Sequence, residues 1–339
     1  MRDGVMQGAS SRACPDCVAR RRRSLGADAG PADAMLAAPD CACQTLTLAE
    51  QRARLLTPGA GPLASIETRH VSDLGLWVAV ARGADARQFG AVADLALGLG
   101  IDATQEGARL CALGEVLERY GAAVVPPGVG GSVPVFDANG RHAGRVDPAR
   151  VWLPFHRAGR PVLPASSDGL GFGFDRTLAM SAAAREWVER RALHGLAASR
   201  LAGAARPLAG AMALSARAFA IAAPLPVCLV LIPAPEGRRA PPIAAGAACR
   251  GSLPDACRAA LREAVLGWLI ATGAVLPGAG LQATELLGPL AALPLSAWPN
   301  TVHTAAGSPF SLDGLSYADL TPADIGRAGG HVLRALVPE

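Results

Sequence analysis

Two stretches decide the fold of this chain: 98–120, GLGIDATQEGARLCALGEVLERY, and 165–195, ASSDGLGFGFDRTLAMSAAAREWVERRALHG. Each ends in a helix-forming run that carries Glu-x-x-Glu-Arg, at positions 115–119 and again at 186–190. Small residues precede the motif in both stretches, which indicates an internal repeat. Residues three apart on a helix point the same way, so each helix presents one pair of carboxylates.

The helices are delimited by their start signals. Asp102 with Gln105 predicts an N-cap and its partner for a helix over about 103–123. A second helix is predicted from about Thr177 to 198, and Ser252 with Asp255 predicts a capping box for a third helix through about 270. Short apolar runs between the helices predict three strands, at Val133–Phe136, Val151–Pro154 and Val227–Ile232.

The surroundings of the carboxylates favour a sheltered site over a solvated helix face. Helical spacing puts Ala108, Cys111 and Ala122 on the face of Glu115 and Glu118, where a solvated face would carry charge. The second helix has the same stripe of small residues around its glutamates. Buried carboxylates need compensating cations, and two arginines do not neutralise four of them. Carboxylates without matching histidines favour Mg²⁺, which usually bridges to nucleotide phosphates.

Composition excludes several nucleotide and cofactor chemistries. All 32 cationic side chains are arginine, because the 339 residues contain no lysine. A Walker-A loop, a protein kinase, a pyridoxal enzyme and a Schiff-base aldolase all need a lysine. The predicted nucleotide site is therefore one without a P-loop. The 51% of hydrophobic residues suffices for a large folded domain.

The first 60 residues differ in composition from the remainder and predict a small Cys-bearing segment. Two close pairs, Cys14-x-x-Cys17 and Cys41-x-Cys43, fit either a structural zinc site or a reduced, metal-free tail. The arginine run 20–23 lacks interleaved aromatics, so a solvated segment is expected there and no nucleic acid partner. With no signal peptide or membrane anchor in view, we expect a cytoplasmic protein without a membrane partner.

Several motifs, in the same order, are similar to those of the YcaO superfamily. Segment 98–120 resembles the stretch Gly-Lys-Gly, then Ser-x-x-x-Glu-x-x-Glu-Arg. Segment 165–195 resembles the Ser-Ser-Asn-Gly-Leu-Ala-x-Gly turn and its following Glu-x-x-Glu-Arg. Segments 246–266 and 319–338 resemble two later blocks, and 14–23 resembles the Cys-x-x-Cys region of azoline-pathway scaffold proteins. The similarity spans residues from about 74 to 339.

The resemblance implies an α/β fold. By this resemblance, residues 61–339 are expected to form a YcaO-like domain of mixed and antiparallel sheets, with helices around a central nucleotide cleft. It implies ATP and Mg²⁺ as cofactors, and cyclodehydration of Cys, Ser or Thr to azolines, or related thioamide or amidine formation. The implied catalytic residues and Mg²⁺ ligands are Glu115, Glu118, Glu186 and Glu189; the expected nucleotide-binding residues are Ser167, Asp168, Cys111, Arg119 and Arg190.

The expected partners are a precursor peptide and a leader-peptide-binding scaffold or dehydrogenase, and we expect a homodimer. Four positions depart from the family pattern: Leu99 replaces Lys, Cys111 replaces Ser, Asp168 replaces Asn and Leu266 replaces Gln. These departures, and an end at residue 339 without a Pro-rich tail, keep two alternatives open. One is a catalytically reduced subunit that binds precursor peptide or a partner enzyme. The other is a different Mg²⁺-dependent nucleotide enzyme with a small substrate.

Overall fold

The computed structural model describes residues 46–58, 62–83, 97–123, 131–153, 156–157, 160–161, 167–198, 216–233, 243–273 and 311–337. The predicted zinc ligands Cys14, Cys17, Cys41 and Cys43 lie outside these residues. The fold divides into two compact units, one of residues 1–184 with 314–339 and one of residues 185–313. The predicted boundary near residue 60 stays a prediction.

The described residues form helices and antiparallel strands. In chain order the elements are α1 (Leu48–Leu56), β1 (Leu63–Val71), β2 (Leu76–Gly83), β3 (Leu97–Asp102), α2 (Gln105–Ala123), β4 (Val133–Phe136), β5 (His142–Val146), β6 (His156–Arg157), β7 (Arg160–Pro161), β8 (Leu170–Gly173), α3 (Arg176–Ala198), β9 (Arg217–Ile221), β10 (Val227–Pro233), β11 (Ile243–Cys249), α4 (Leu253–Ala271), β12 (Ser316–Asp319), α5 (Ala323–Arg327) and β13 (His331–Leu336).

The first unit holds two larger sheets and the short β6–β7 hairpin. The larger sheets have the orders β1-β2-β3 and β5-β4-β12-β13-β8. Helix α2 contributes to the cores of both. Ala112 and Val116 pack with buried residues of β1 and β2, whereas Leu117 and Tyr120 pack with buried residues of the five-stranded sheet. Helix α2 therefore buries residues toward both sheets, and its exposed residues all lie in its first two turns: Gln105, Glu106, Leu110 and Cys111.

The second unit is a three-stranded sheet of order β11-β10-β9 with α4 packed against it. Residues Val227–Ile232 of β10 are almost completely buried, which explains why this segment reads as a continuous apolar run. Ser252 caps α4 by accepting a hydrogen bond from the Asp255 N–H, as predicted. The boundary between the two units runs through α3, between residues 184 and 185.

Glycines let the strands approach the helices that follow them. A Cβ added at Gly100 would collide with the carbonyl oxygen of Ala108 in α2. One added at Gly171 would collide with the backbone nitrogen of Ala183 in α3, and one at Gly246 with that of Ala264 in α4. Each strand therefore lies unusually close to its helix, which brings helical side chains within reach of the strand backbone.

Most predicted elements are confirmed, with two corrections. The strand expected at 151–154 is wrong over its described residues, because Val151–Leu153 follow a single 3₁₀ turn at 148–150 and form a turn and bend. The predicted cap of α2 is two residues early. The Asp102 carboxylate accepts from the Thr104 N–H, and the Thr104 hydroxyl accepts from the Gly107 N–H at the helix start.

No helix among the described residues is both long and apolar enough to traverse a lipid bilayer.

Candidate functional site

The first glutamate pair lies on α2 and is held by backbone groups of two strands. Glu115 Oε2 accepts a hydrogen bond of 2.6 Å from the Leu99 N–H of β3. Glu118 Oε1 accepts one of 3.0 Å from the Phe172 N–H of β8. Both strands are at the edges of their sheets among the described residues, so each glutamate accepts from an N–H on the open side of an edge strand. The pair is half-buried, which corrects the expectation of deep burial.

Arg119 completes this first cluster. Its guanidinium lies 2.5 Å from Glu115 Oε1, an i,i+4 ion pair on one face of α2. About a third of each side chain is exposed. The Glu115 charge is thus balanced by an arginine of its own helix. Leu99 contributes only its backbone N–H.

The second pair lies on α3 and has a different environment. Glu189 is buried, with 5% of its surface exposed, whereas Glu186 is half-buried. Arg190 Nε donates to Glu186 Oε1 at 2.7 Å, and the second guanidinium nitrogen lies 3.8 Å from Glu189 Oε1. Burial raises the pKa of Glu189 well above its usual value, and the Glu186 charge raises it further, while Arg190 opposes the shift.

Glu263, on α4, is an acidic residue that the sequence analysis did not assign to the site. Its Oε2 accepts a 3.0 Å hydrogen bond from the Ala247 N–H of β11, and its charge contributes to the raised pKa of Glu189. A recognisable signal for it exists in the sequence: glutamates follow glycines by seventeen residues three times, as Gly98 and Glu115, Gly169 and Glu186, and Gly246 and Glu263.

The structure supports two of these three spacings. The contact of Glu263 with Ala247 has the same sequence offset as the contact of Glu115 with Leu99. The repeat was missed because the third copy lacks the second acid, with Leu266 at the position matching Glu118 and Glu189. Spacing from the strand glycine is therefore a better guide to these glutamates than the Glu-x-x-Glu-Arg motif.

Ser167 and Asp168 lie on the turn that precedes β8. Ser167 is exposed and Asp168 is half-buried. Gly169 has a φ of 75°, and its carbonyl accepts a 2.7 Å hydrogen bond from the Ala335 N–H of β13. Gly171 allows β8 to pack closely against α3, so the presence of this glycine has a structural explanation.

Cys111 is the exception among the predicted nucleotide-binding residues of α2. It is exposed, with the neighbouring Leu110 also 52% exposed, so the expected stripe of buried small residues does not extend to it. Ala108 and Ala112 face the three-stranded sheet, whereas Cys111 lies on the exposed side of α2. Arg190, in contrast, is half-buried and holds Glu186 as described.

Among the described residues, no three His, Cys, Asp or Glu side chains lie close enough together to bind a metal ion as they stand. The donor chemistry nevertheless suits a hard cation. Glu189 is a buried carboxylate whose pKa two nearby glutamates raise, and a divalent cation relieves that repulsion. Oxygen ligands without histidine fit Mg²⁺ in particular.

Comparisons with known proteins agree on the fold. The sequence matches no established family profile and no curated protein. The structure matches that of YcaO from Methanopyrus kandleri bound with AMPPCP and Mg²⁺, with a TM-score of 0.61 and 18% identity over 87% of this chain and 90% of the other. It also matches a heterocyclase in complex with substrate and cofactor, with a TM-score of 0.60 and 14% identity over 86% of this chain.

This chain spans only 51% of that heterocyclase. A third match is the E. coli microcin synthetase McbBCD complex, with a TM-score of 0.54 and 14% identity over 80% of this chain and 87% of the matched chain. Identities this low establish fold and leave activity open. The predicted architecture is confirmed: the chain has the fold of YcaO proteins.

Proposed function

We propose that this chain is an ATP- and Mg²⁺-dependent enzyme that activates a backbone amide of a ribosomally made peptide. The expected reaction is cyclodehydration of Cys, Ser or Thr to an azoline, or a related thioamide or amidine formation. The observation that carries the proposal is the buried carboxylate of Glu189, beside Glu186 and Glu263, on a YcaO fold.

Two related structures support the choice of cofactor and substrate. The Methanopyrus kandleri protein binds AMPPCP and Mg²⁺. The matched heterocyclase was solved with a substrate and a cofactor. The same fold with acidic helices makes a comparable nucleotide site the first hypothesis for this chain.

In this proposal Glu115, Glu118, Glu186 and Glu189 hold Mg²⁺, and Arg190 contacts phosphate. When bound, ATP supplies the phosphoryl group that activates the amide oxygen, and Mg²⁺ balances the phosphate charge. The strand N–H groups fix the orientation of the Glu115 and Glu118 carboxylates. The oxygen lone pairs that these hydrogen bonds do not use therefore keep a fixed direction. Arg190 orients Glu186 through its 2.7 Å hydrogen bond.

Ser167, Asp168, Cys111 and Arg119 belong to the proposed nucleotide site with smaller roles. Ser167 and Asp168 offer polar groups on the turn before β8. Arg119 orients Glu115 by its ion pair. Cys111 is exposed on α2. A precursor peptide, a scaffold or dehydrogenase partner, a homodimer, a structural zinc in residues 1–60 and a cytoplasmic location complete the proposal.

The test is an equilibrium titration of the full chain with ATP in the presence of Mg²⁺. Glu186→Gln removes one anionic ligand and keeps the side-chain shape, so we expect its affinity to fall by at least about tenfold. Glu106→Gln is the matched control, because Glu106 is an exposed residue in the first turn of α2. Its affinity should equal that of the native chain. Equal affinity in Glu186→Gln, or no nucleotide binding by the native chain, contradicts the proposal.

A second candidate function is a non-catalytic subunit that binds precursor peptide. Two observations favour it: each motif arginine already pairs with a glutamate of its own helix, and the described acidic side chains do not form a preassembled metal group. The same titration separates the two functions. Binding of Cys-, Ser- or Thr-containing precursor peptides without any binding of ATP supports the second.

A further inference from the structure

Arg52 of α1 bridges two segments that lie just beyond one end of the β8–β13 strand pair. Its Nε donates a 3.0 Å hydrogen bond to the Ala328 carbonyl, in the turn between α5 and β13. Its guanidinium carbon lies 4.8 Å from the centre of the Phe174 ring, in the bend between β8 and α3. The strand pair ends at Gly173 and His331. One half-buried side chain thus contacts both segments where the pairing of the two strands stops.

Phe174 connects this contact to β8. Its ring packs edge-on against the Phe172 ring, with the ring centroids 5.1 Å apart, and both rings pack against the core of the five-stranded sheet. Leu55 of α1 is buried in that core, so the packing of its own helix holds Arg52 at this place. A guanidinium over an aromatic face is attracted to the ring. Arg52 therefore restrains the end of β8 through the pair of rings.

Phe172, whose side chain lies in this stack, also holds Glu118 through its backbone. Its N–H donates the 3.0 Å hydrogen bond to Glu118 Oε1. β8 has only four residues and, within the described part of the chain, pairs with β13 alone. A short edge strand opens easily unless contacts outside its ladder restrain it. The orientation of Glu118 therefore depends on the contacts that restrain β8, and the contact made by Arg52 is one of them.

The other strand of the pair is held by α2 itself. Val332 of β13 is the register partner of Phe172. A Cβ added at Gly121 of α2 would lie only 2.8 Å from the Val332 side chain, so helix and strand are in close contact there. Since β13 is packed against the helix that carries Glu118, any movement of β8 away from β13 also moves the Phe172 N–H away from the carboxylate.

We propose that Arg52 is a positioning residue for Glu118. It restrains the end of β8 against β13, and the Phe172 N–H then fixes the direction of the carboxylate. The inference rests on the proposed function for the ligand of Glu118, which is Mg²⁺ with a nucleotide. Residues that orient a metal ligand from outside the metal site influence metal affinity in this way.

Amide hydrogen exchange of the full chain, followed residue by residue by NMR, tests the positioning without any ligand. Arg52→Met keeps an unbranched side chain and removes the guanidinium, so we expect the Phe172 amide to exchange about tenfold faster. The Leu99 amide, which donates to Glu115 on the same helix, is the internal reference. Its rate should change by less than about twofold, because a local opening of β8 leaves β3 in place. Arg52→Lys retains a cation and should exchange more slowly at 172 than Arg52→Met does.

Arg145→Met is the matched control. Arg145 also donates to a backbone carbonyl, that of Ser132 at 2.7 Å, but it lies on β5 at the opposite edge of the same sheet. This variant should leave the amides of Phe172 and Leu99 at their native rates. Equal acceleration of both amides in Arg52→Met would indicate a general loss of stability and overturns the inference. An unchanged rate at 172, or equal rates in Arg52→Lys and Arg52→Met, overturns it as well.

Titrations with ATP in the presence of Mg²⁺, and with uncharged adenosine, link the positioning to the proposed function. Arg52→Met should bind ATP at least about threefold more weakly than the native chain does, with adenosine affinity unchanged, because Glu118 is a proposed Mg²⁺ ligand. Native ATP affinity in this variant, or an equal loss for both ligands, overturns the inference. If the native chain binds no nucleotide, the proposed function fails, and the exchange rates decide whether Arg52 positions Glu118.

Discussion

The two Glu-x-x-Glu-Arg helices share a motif and differ in what surrounds it. On α2 the carboxylates of Glu115 and Glu118 accept hydrogen bonds from strand N–H groups and remain half-exposed. On α3 the carboxylates depend on Arg190, and Glu189 is buried. The motif fixes the spacing of the acids along the helix, whereas the burial and the neighbouring charges are set by tertiary structure.

The two glutamate pairs therefore differ in their electrostatic surroundings. A backbone N–H orients a carboxylate without cancelling its charge, so on α2 the strand N–H groups direct both carboxylates and Arg119 pairs with Glu115. On α3, burial raises the pKa of Glu189, and the charges of Glu186 and Glu263 raise it further against the opposing charge of Arg190. An added cation therefore stabilises the α3 pair more, because that pair has less access to water.

We expect the largest loss of stability from a substitution that disrupts the close contact between β3 and α2, the helix that carries Glu115 and Glu118. Gly100→Ala places a Cβ against the Ala108 carbonyl, so α2 must move away from β3. We expect a loss of about 3 kcal/mol in the free energy of unfolding, measured by urea denaturation. Gly114→Ala is the matched control on the same helix, since a Cβ there meets no atom within 4 Å. It should gain about 0.5–1 kcal/mol. A loss at both positions would contradict the close-approach argument.

The second-largest loss of stability is expected from substitution of a motif arginine, and the two motif arginines can be compared directly. Arg190→Met removes the cation from Glu186 and the buried Glu189, and should cost about 2 kcal/mol of unfolding free energy. Arg119→Met removes a partner that is a third exposed and should cost less than about 1 kcal/mol. Urea unfolding in the presence of a chelator measures both. Equal losses would mean that the two pairs have equivalent environments.

Helices were the predictable part of this fold, and particular residues show why. The start of α4 followed from Ser252 and Asp255, because capping is a local interaction between neighbours in sequence. The apolar run 151–153 was mistaken for a strand because its burial comes from packing in the core of the five-stranded sheet, which periodicity alone does not reveal.

The candidate site was predictable only in part. The motif glutamates were identifiable because two copies of one pattern occur in order. Glu263 was missed since its copy lost the second acid, although its glycine spacing is intact. The exposure of Cys111 and the hydrogen bonds of Glu115 and Glu118 to strand N–H groups depend on contacts between segments distant in sequence. A single sequence carries no signal for such contacts.

The smallest expected effect is a pH dependence of the unfolding free energy that arises from Glu189. Its pKa in the folded chain lies above the usual value of 4.5, so between these two values the folded state keeps a proton that the unfolded state loses. Stability contributed by this group is complete below pH 4.5 and is lost as the pH rises through the folded-state pKa. Glu189→Gln cannot titrate there.

The variant should therefore match the native chain near pH 4 and exceed its unfolding free energy by about 1 kcal/mol near pH 8. Urea unfolding across that range, in a chelator, measures the difference. A gap of constant size at every pH would mean that the amide changes packing alone and that the buried carboxylate carries no charge penalty. A gap that instead widens toward acid would reverse the sign of the shift and remove the electrostatic argument for a cation at α3.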